Sequence, residues 1–125
     1  MALDGVLEEI RARLEEKIKR QLSGLQGFVL GPIYNSMMPL HVEISLQTEV
    51  SEFVFLERGA VELTRGHSSN PDVCIESDPQ TLMSLFQNPS TELFKDLERE
   101  NKIRITSVTR KGQNAEGYIR RYLAG

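Results

Sequence analysis

Two histidines, one cysteine and a cluster of basic side chains are the residues that could do chemistry in this 125-residue chain. A metal site needs three or four ligands, and neither His41 nor His67 has further ligands at short spacing. His41 reads as an outward residue of a strand and His67 as part of a polar loop, so both take surface roles. Cys74 lies between Val73 and Ile75 in an apolar strand. A nucleophilic thiol needs a base beside it, and the pattern instead predicts a partly buried structural thiol. No nucleophile elbow, P-loop or dinucleotide-binding glycine motif occurs. The many Asp and Glu fall on polar faces, where they serve solubility. These residues make no case for an enzyme, a cofactor or a metal.

The basic side chains are unevenly placed. The net charge is −3, yet residues 1–98 hold 8 Lys/Arg against 16 Asp/Glu, and residues 99–125 hold 7 against 2. The C-terminal cations are Arg99, Lys102, Arg104, Arg110, Lys111, Arg120 and Arg121. The plain reading is a solvated helix face and an outward strand face. The functional reading is a patch for an anionic headgroup, an acidic membrane or an acidic partner. A pI of about 5.4, with no nucleic-acid motif, argues against nucleic acid.

Length and composition predict one domain over residues 1–125. Its core should need no disulfide or metal to hold it. A single cysteine suits a reducing compartment or indifference to redox. No signal peptide is visible, no apolar run approaches the ~20 residues of a membrane span, and the terminus is not a Ser-Lys-Leu address. The expectation is a soluble, cytoplasmic protein.

Stepping along the chain, Val6, Leu7, Ile10, Leu14, Ile18, Leu22 and Leu25 fall at helical spacing. They predict a helix over 4–24 that is capped by Asp4, braced by Glu9–Arg13, Glu15–Lys19 and Glu16–Arg20, and ended by Gly24 and Gly27. Its stripe should pack on a sheet, with a homodimer seam as the minority reading. Residues 28–30 read as a short strand or extended approach. Gly31-Pro32 and Pro39 then bound a loop holding Tyr34, Met37 and Met38, a pliable rim or lid for a pocket. Leu40, Val42, Ile44 and Leu46 alternate with polar residues as in a half-buried strand. A hairpin follows over 53–64, turning at Arg58-Gly59. A polar loop (66–71) precedes a strand over 72–76. Asp78-Pro79 opens one helix and Asn88-Pro89 the next. A strand over 102–106 and a helix with Ala115, Tyr118, Ile119, Tyr122 and Leu123 on its apolar face complete the chain.

Leu82, Leu85 and Phe86 share helical spacing, as do Leu93, Phe94 and Leu97. Such residues can fill a core or wall a cavity, and periodicity leaves both readings open.

The order and spacing from residue 71 onward resemble the sterol carrier protein type 2 domain. The matching residues are Pro71-Asp72-Val73-x-Ile75, the helix at Leu82–Phe86, Asn88-Pro89, Leu93-Phe94, the strand Lys102-Ile103-Arg104-Ile105 and a C-terminal helix starting near Ala115. The resemblance covers residues 50–123. Two family glycines are replaced here, by Asn101 and Ser107, and the 95–102 link is longer and more charged. The resemblance implies an α+β fold, a mixed five-stranded sheet covered on one face by helices, with N- and C-terminal helices. It also implies a hydrophobic tunnel for fatty acids, acyl-CoAs, phospholipids or sterols. Carried onto this chain, the tunnel lining is Phe53, Phe55, Leu82, Leu85, Phe86, Phe94, Leu97, Ile105, Ile119 and Leu123.

The expected function is therefore a lipid-binding carrier, driven by desolvation of apolar surface at ~25 cal/mol per Å². Arg110, Lys111, Arg120 and Arg121 would hold the headgroup or touch an anionic membrane transiently. The rival is a fully packed protein-interaction or oligomerisation module without a cavity. A weaker third idea is presentation of an acyl substrate to a separate enzyme.

Overall fold

The first helix shows how the sequence pattern becomes architecture. In the structure, a computed structural model that describes residues 3–23, 25–47, 49–67, 70–88 and 90–124, with side chains of 3, 4, 6, 25–30 and 122–124 excepted, α1 spans Leu3–Leu22. Leu7, Ile10 and Leu14 are buried and Ile18 packs beside them, as the 3–4 spacing requires. All three predicted acid–base pairs form, at 2.8, 3.3 and 2.8 Å. The helix begins at Leu3, so Asp4 lies inside its first turn rather than at the cap position expected for it.

The largest departure from expectation follows. Residues Leu25–Ser36 form a second helix, α2, with Pro32 inside it, where a strand-like approach and a loop were expected. Gly27 is within α2 and does not end α1, and Gly24 lies outside the described residues. Local breakers are overridden because α2 packs on α1 and on the turn at Glu57–Gly59. The Asn35 side chain accepts from the Arg58 amide at 3.1 Å. Propensity is a weak prior against such packing.

The sheet is built from β1 (Leu40–Leu46), β2 (Glu49–Phe55), β3 (Val61–Arg65), β4 (Val73–Ser77) and β5 (Ile103–Ser107). Its order is β3-β2-β1-β4-β5. Only β1 and β4 run parallel; the other three pairings are antiparallel. The 53–64 hairpin forms as expected, with Phe53 opposite Leu63. Its turn places Arg58 at φ 65° and Gly59 at φ 88°, and Gly59 is buried against Ile18 and Lys19 of α1.

Strand alternation sorts the two sheet faces. Phe53, Val42 and Val73 share one row of the inner face, and Ile44, Ile75 and Ile105 another. All six are buried. The outer face carries His41, Glu43, Glu52, Cys74, Glu76 and Arg104, half-buried or exposed.

Three more helices cover the inner face around β4 and β5: α3 (Pro79–Gln87), α4 (Thr91–Arg99) and α5 (Arg110–Ala124). Asp78 caps α3 as predicted, and Pro79 opens it. The cap of α4 is Ser90, whose hydroxyl accepts from the Leu93 amide at 3.2 Å. Asn88 instead ends α3, and Pro89 lies outside the described residues. Helix α5 starts at Arg110, five residues before the start implied by the resemblance. Its start is set by Thr109, whose hydroxyl accepts from the Gly112 amide at 3.0 Å.

Candidate lipid-binding site

The fold gathers nine of the ten expected lining residues into one cluster. Phe53, Leu82, Leu85, Phe94 and Ile105 are buried members; Phe55, Phe86, Leu97 and Ile119 pack against them partly buried. The side chain of Leu123 lies outside those described. The five buried residues are held tightly: Leu85 is 0% and Phe53 1% exposed. Alternation places Phe53 and Ile105 inward from the sheet, while the i,i+3 spacing of Leu82 and Leu85 turns them down onto it.

Open space lies beside this cluster. A cleft of about 520 Å³ runs between α3 and α4 near the start of β5. Leu93 and Leu97, one turn apart on α4, line it and are partly buried against the core cluster. Its polar lining comes from Asp78, Gln80 and Ser84 around α3, from Gln47 after β1, and from Lys102. Volumes of ~300–1,000 Å³ are usual for small-molecule sites. Among the described residues expected to bind a ligand, Leu97 is the one that lines this cleft.

Two local devices fix its charged walls. Asn101 takes φ 60°, the left-handed region that Asn tolerates better than most residues. It stands where the resembling family has glycine, and the Lys102 amide donates back to the Leu97 carbonyl at 2.8 Å. Asp78 accepts from the Thr81 amide at 2.8 Å and the Thr81 hydroxyl at 2.6 Å. The Thr81 hydrogen bond holds the Asp78 carboxyl below the usual range.

The four cations expected at a headgroup do not converge. Arg110 and Lys111 begin α5, and Arg120 and Arg121 are near its end, about 15 Å apart by helical rise. Lys111 donates to the Pro39 carbonyl at 2.7 Å and lies 3.9 Å from the Asp72 carboxylate. Arg120 is held by Glu116 at 3.0 Å, by Glu98, and over the Phe94 ring at 5.9 Å. Arg110 and Arg121 are exposed, Arg121 standing 6.0 Å over Tyr118. Sequence reasoning missed the cleft's polar residues, because they come from three separate segments whose proximity only the fold creates.

The remaining candidates sit on the outer sheet face. His41 Nδ1 is 2.9 Å from Glu52, and His67 Nδ1 is 3.4 Å from Glu43. Burial first, then Glu43 and Glu76, push the Cys74 thiol up, away from the thiolate that nucleophilic chemistry requires. Among the described residues no three His, Cys, Asp or Glu side chains group as a metal site would need. No helix among them is long and apolar enough to cross a membrane. Tyr34, expected in a loop rim, is in α2; its hydroxyl is buried without a partner among the described residues, and burial pushes its pKa up to about 12.

No family model matches this sequence, and a search of curated proteins finds no match. Solved structures do match. A UbiJ-SCP2 ubiquinone synthesis protein aligns at TM-score 0.64 and 12% identity, over 99% of this chain and 100% of that one. Sterol carrier protein 2 like 2 from Aedes aegypti aligns at TM-score 0.57 and 12% identity, over 96% and 98%. Agreement across nearly the full length of both chains, together with the five-stranded mixed sheet and its helical cover, assigns the architecture: this chain has the sterol carrier protein type 2-like fold.

Proposed function

We propose that this chain is a non-enzymatic lipid carrier of the cytoplasm, acting as one domain. Its ligand is a fatty acid, acyl-CoA, phospholipid or sterol-like molecule. The acyl chain or ring system enters at the α3–α4 cleft and lies among Phe86, Phe94 and Leu97 against the inner face of the sheet. The observation that supports this most is the continuity of the open cleft with the apolar cluster through Leu93 and Leu97. The two full-length structural neighbours, by their names a sterol carrier protein and a ubiquinone synthesis protein, favour an apolar ligand class. Desolvation supplies the driving force, ~25 cal/mol per Å² of apolar surface. Entry requires Phe86 and Leu97, already partly exposed, to turn aside. The exposed Arg110 and Arg121 are free to meet an anionic membrane surface during loading.

Native mass spectrometry of gently purified protein, with extraction of anything bound, tests this reading. A stoichiometric lipid adduct that Phe86→Arg abolishes in a folded variant is the expected result. A chain that stays bare after incubation with fatty acid, acyl-CoA and phospholipid would instead favour the second reading, a packed interaction module on the same fold. That alternative draws on the near-complete burial of Leu85 and Phe53.

A further inference from the structure

We propose that the α3–α4 cleft is a headgroup site for a zwitterionic lipid, with Lys102 pairing the anionic group and Asp78 the ammonium. This rests on the lipid-binding reading above and adds the chemistry of the head to it.

Among the described residues the cleft is lined by one cation and one carboxylate, Lys102 and Asp78, with the neutral polar side chains Gln47, Gln80, Thr81 and Ser84. The carboxylate is preorganised. Its two bonds from Thr81 fix its orientation as the cap of α3. The Asp78 and Gln80 amides bond it as well, so it meets a ligand ammonium through its negative charge at the cleft wall rather than through a spare acceptor position. The cation is exchangeable. Its own-chain partner is Glu100 at 3.6 Å, with both side chains more than half exposed, and such surface pairs contribute only ~0–1 kcal/mol. A ligand phosphate can replace Glu100 with little loss.

Charge then discriminates between heads. A purely anionic head brings its charge toward Asp78 as well as Lys102. A neutral head shields both charges from water and pairs neither, which is unfavourable for ionised groups. A head with both signs pairs both at once. Beyond it, the chain meets Leu93 and Leu97, which pack against the apolar cluster. The basic set on α5 offers no equivalent, because Arg120 and Lys111 already have partners in their own chain and the exposed Arg110 and Arg121 stand toward opposite ends of the helix.

The test uses three probes that share one acyl chain: lysophosphatidylethanolamine (zwitterion), lysophosphatidic acid (anion) and monoacylglycerol (neutral). Each is titrated calorimetrically at low salt, below its micelle concentration, into the full chain, Lys102→Gln and Asp78→Ser. Serine keeps an N-cap acceptor, and Lys102 is exposed, so both variants should fold. The expected result is roughly tenfold tighter binding of the zwitterion than of either other probe, a preference of the size charge-assisted hydrogen bonds give, lost in both variants. Equal binding of all three heads, or a preference that neither variant changes, overturns the headgroup assignment and leaves the lipid reading standing. No binding of any probe to the unmodified chain overturns both.

Discussion

Gly112 and Asp72 touch so closely that no side chain fits between them: a β-carbon on Gly112 would lie 1.9 Å from the Asp72 carbonyl oxygen. That oxygen already accepts from the Val108 amide at 2.8 Å. The Asp72 carboxylate accepts from the His41 amide at 3.0 Å and the Thr109 hydroxyl at 2.7 Å. One buried residue therefore joins the starts of β1, β4 and α5, and so sets where α5 lies over the sheet.

The contact makes Gly112 intolerant of growth. Gly112→Ala should lower stability by at least the ~1–3 kcal/mol usual for overpacking, because the obstructing atom is backbone and cannot rotate away. Urea unfolding of the two proteins measures it directly, and coincident midpoints would contradict the geometry.

A second prediction concerns the sheet edge. β3 is an edge strand, and α1 covers it with side chains: Glu15 accepts from the Val61 amide at 2.9 Å, and Arg11 donates to the Val61 carbonyl at 3.0 Å. Pairing an edge in this way removes a template for aggregation. The Val61 amide, then Lys19 and Arg11, hold the Glu15 carboxyl below its usual value of 4.5 against the opposing effect of burial. A carboxyl depressed in the folded state contributes stability above its unfolded pKa, and that contribution is lost as pH falls through the folded value. Glu15→Gln should therefore be less stable than the parent at pH 7. The gap should narrow as pH falls below about 4.5, the carboxyl's usual value. A gap that stays constant from pH 7 to pH 3 would show that the carboxylate charge is not the stabilising feature.

The third prediction separates core from cleft. Leu85→Ala removes a fully buried side chain and should cost ~2–5 kcal/mol of stability. Leu97→Ala trims a partly buried residue of the cleft and should cost clearly less, while weakening binding of an acyl probe several-fold. Thermal melts and probe titrations on both variants check this. If Leu97→Ala costs as much stability as Leu85→Ala and leaves binding unchanged, Leu97 belongs to the core alone.

Local signals survived intact from sequence to structure. The Asp78-Pro79 start of α3, the Arg58-Gly59 turn, the alternation of β1 and the ion pairs of α1 each depend on residues within a few positions of one another. The mixed sheet and its helical cover were implied by the family resemblance that the residues from 71 onward carry. Helix α2 was not legible, because glycine and proline there signal a break, and only packing against α1 and the 57–59 turn outweighs them. The Ser90 cap was hidden behind the louder Asn88-Pro89 pair.

What the sequence determined by itself was the apolar face of the elements other than α2, since side-chain periodicity follows from backbone geometry alone. What only the tertiary structure decided was which faces meet. Gln47, Asp78 and Lys102 come from three distant segments, and nothing local relates them. They line one cleft because β1, β4 and β5 are neighbours in the sheet and the α3–α4 pair closes over their ends. Contacts between segments so far apart are set by the folding of the whole chain, which local spacing does not encode.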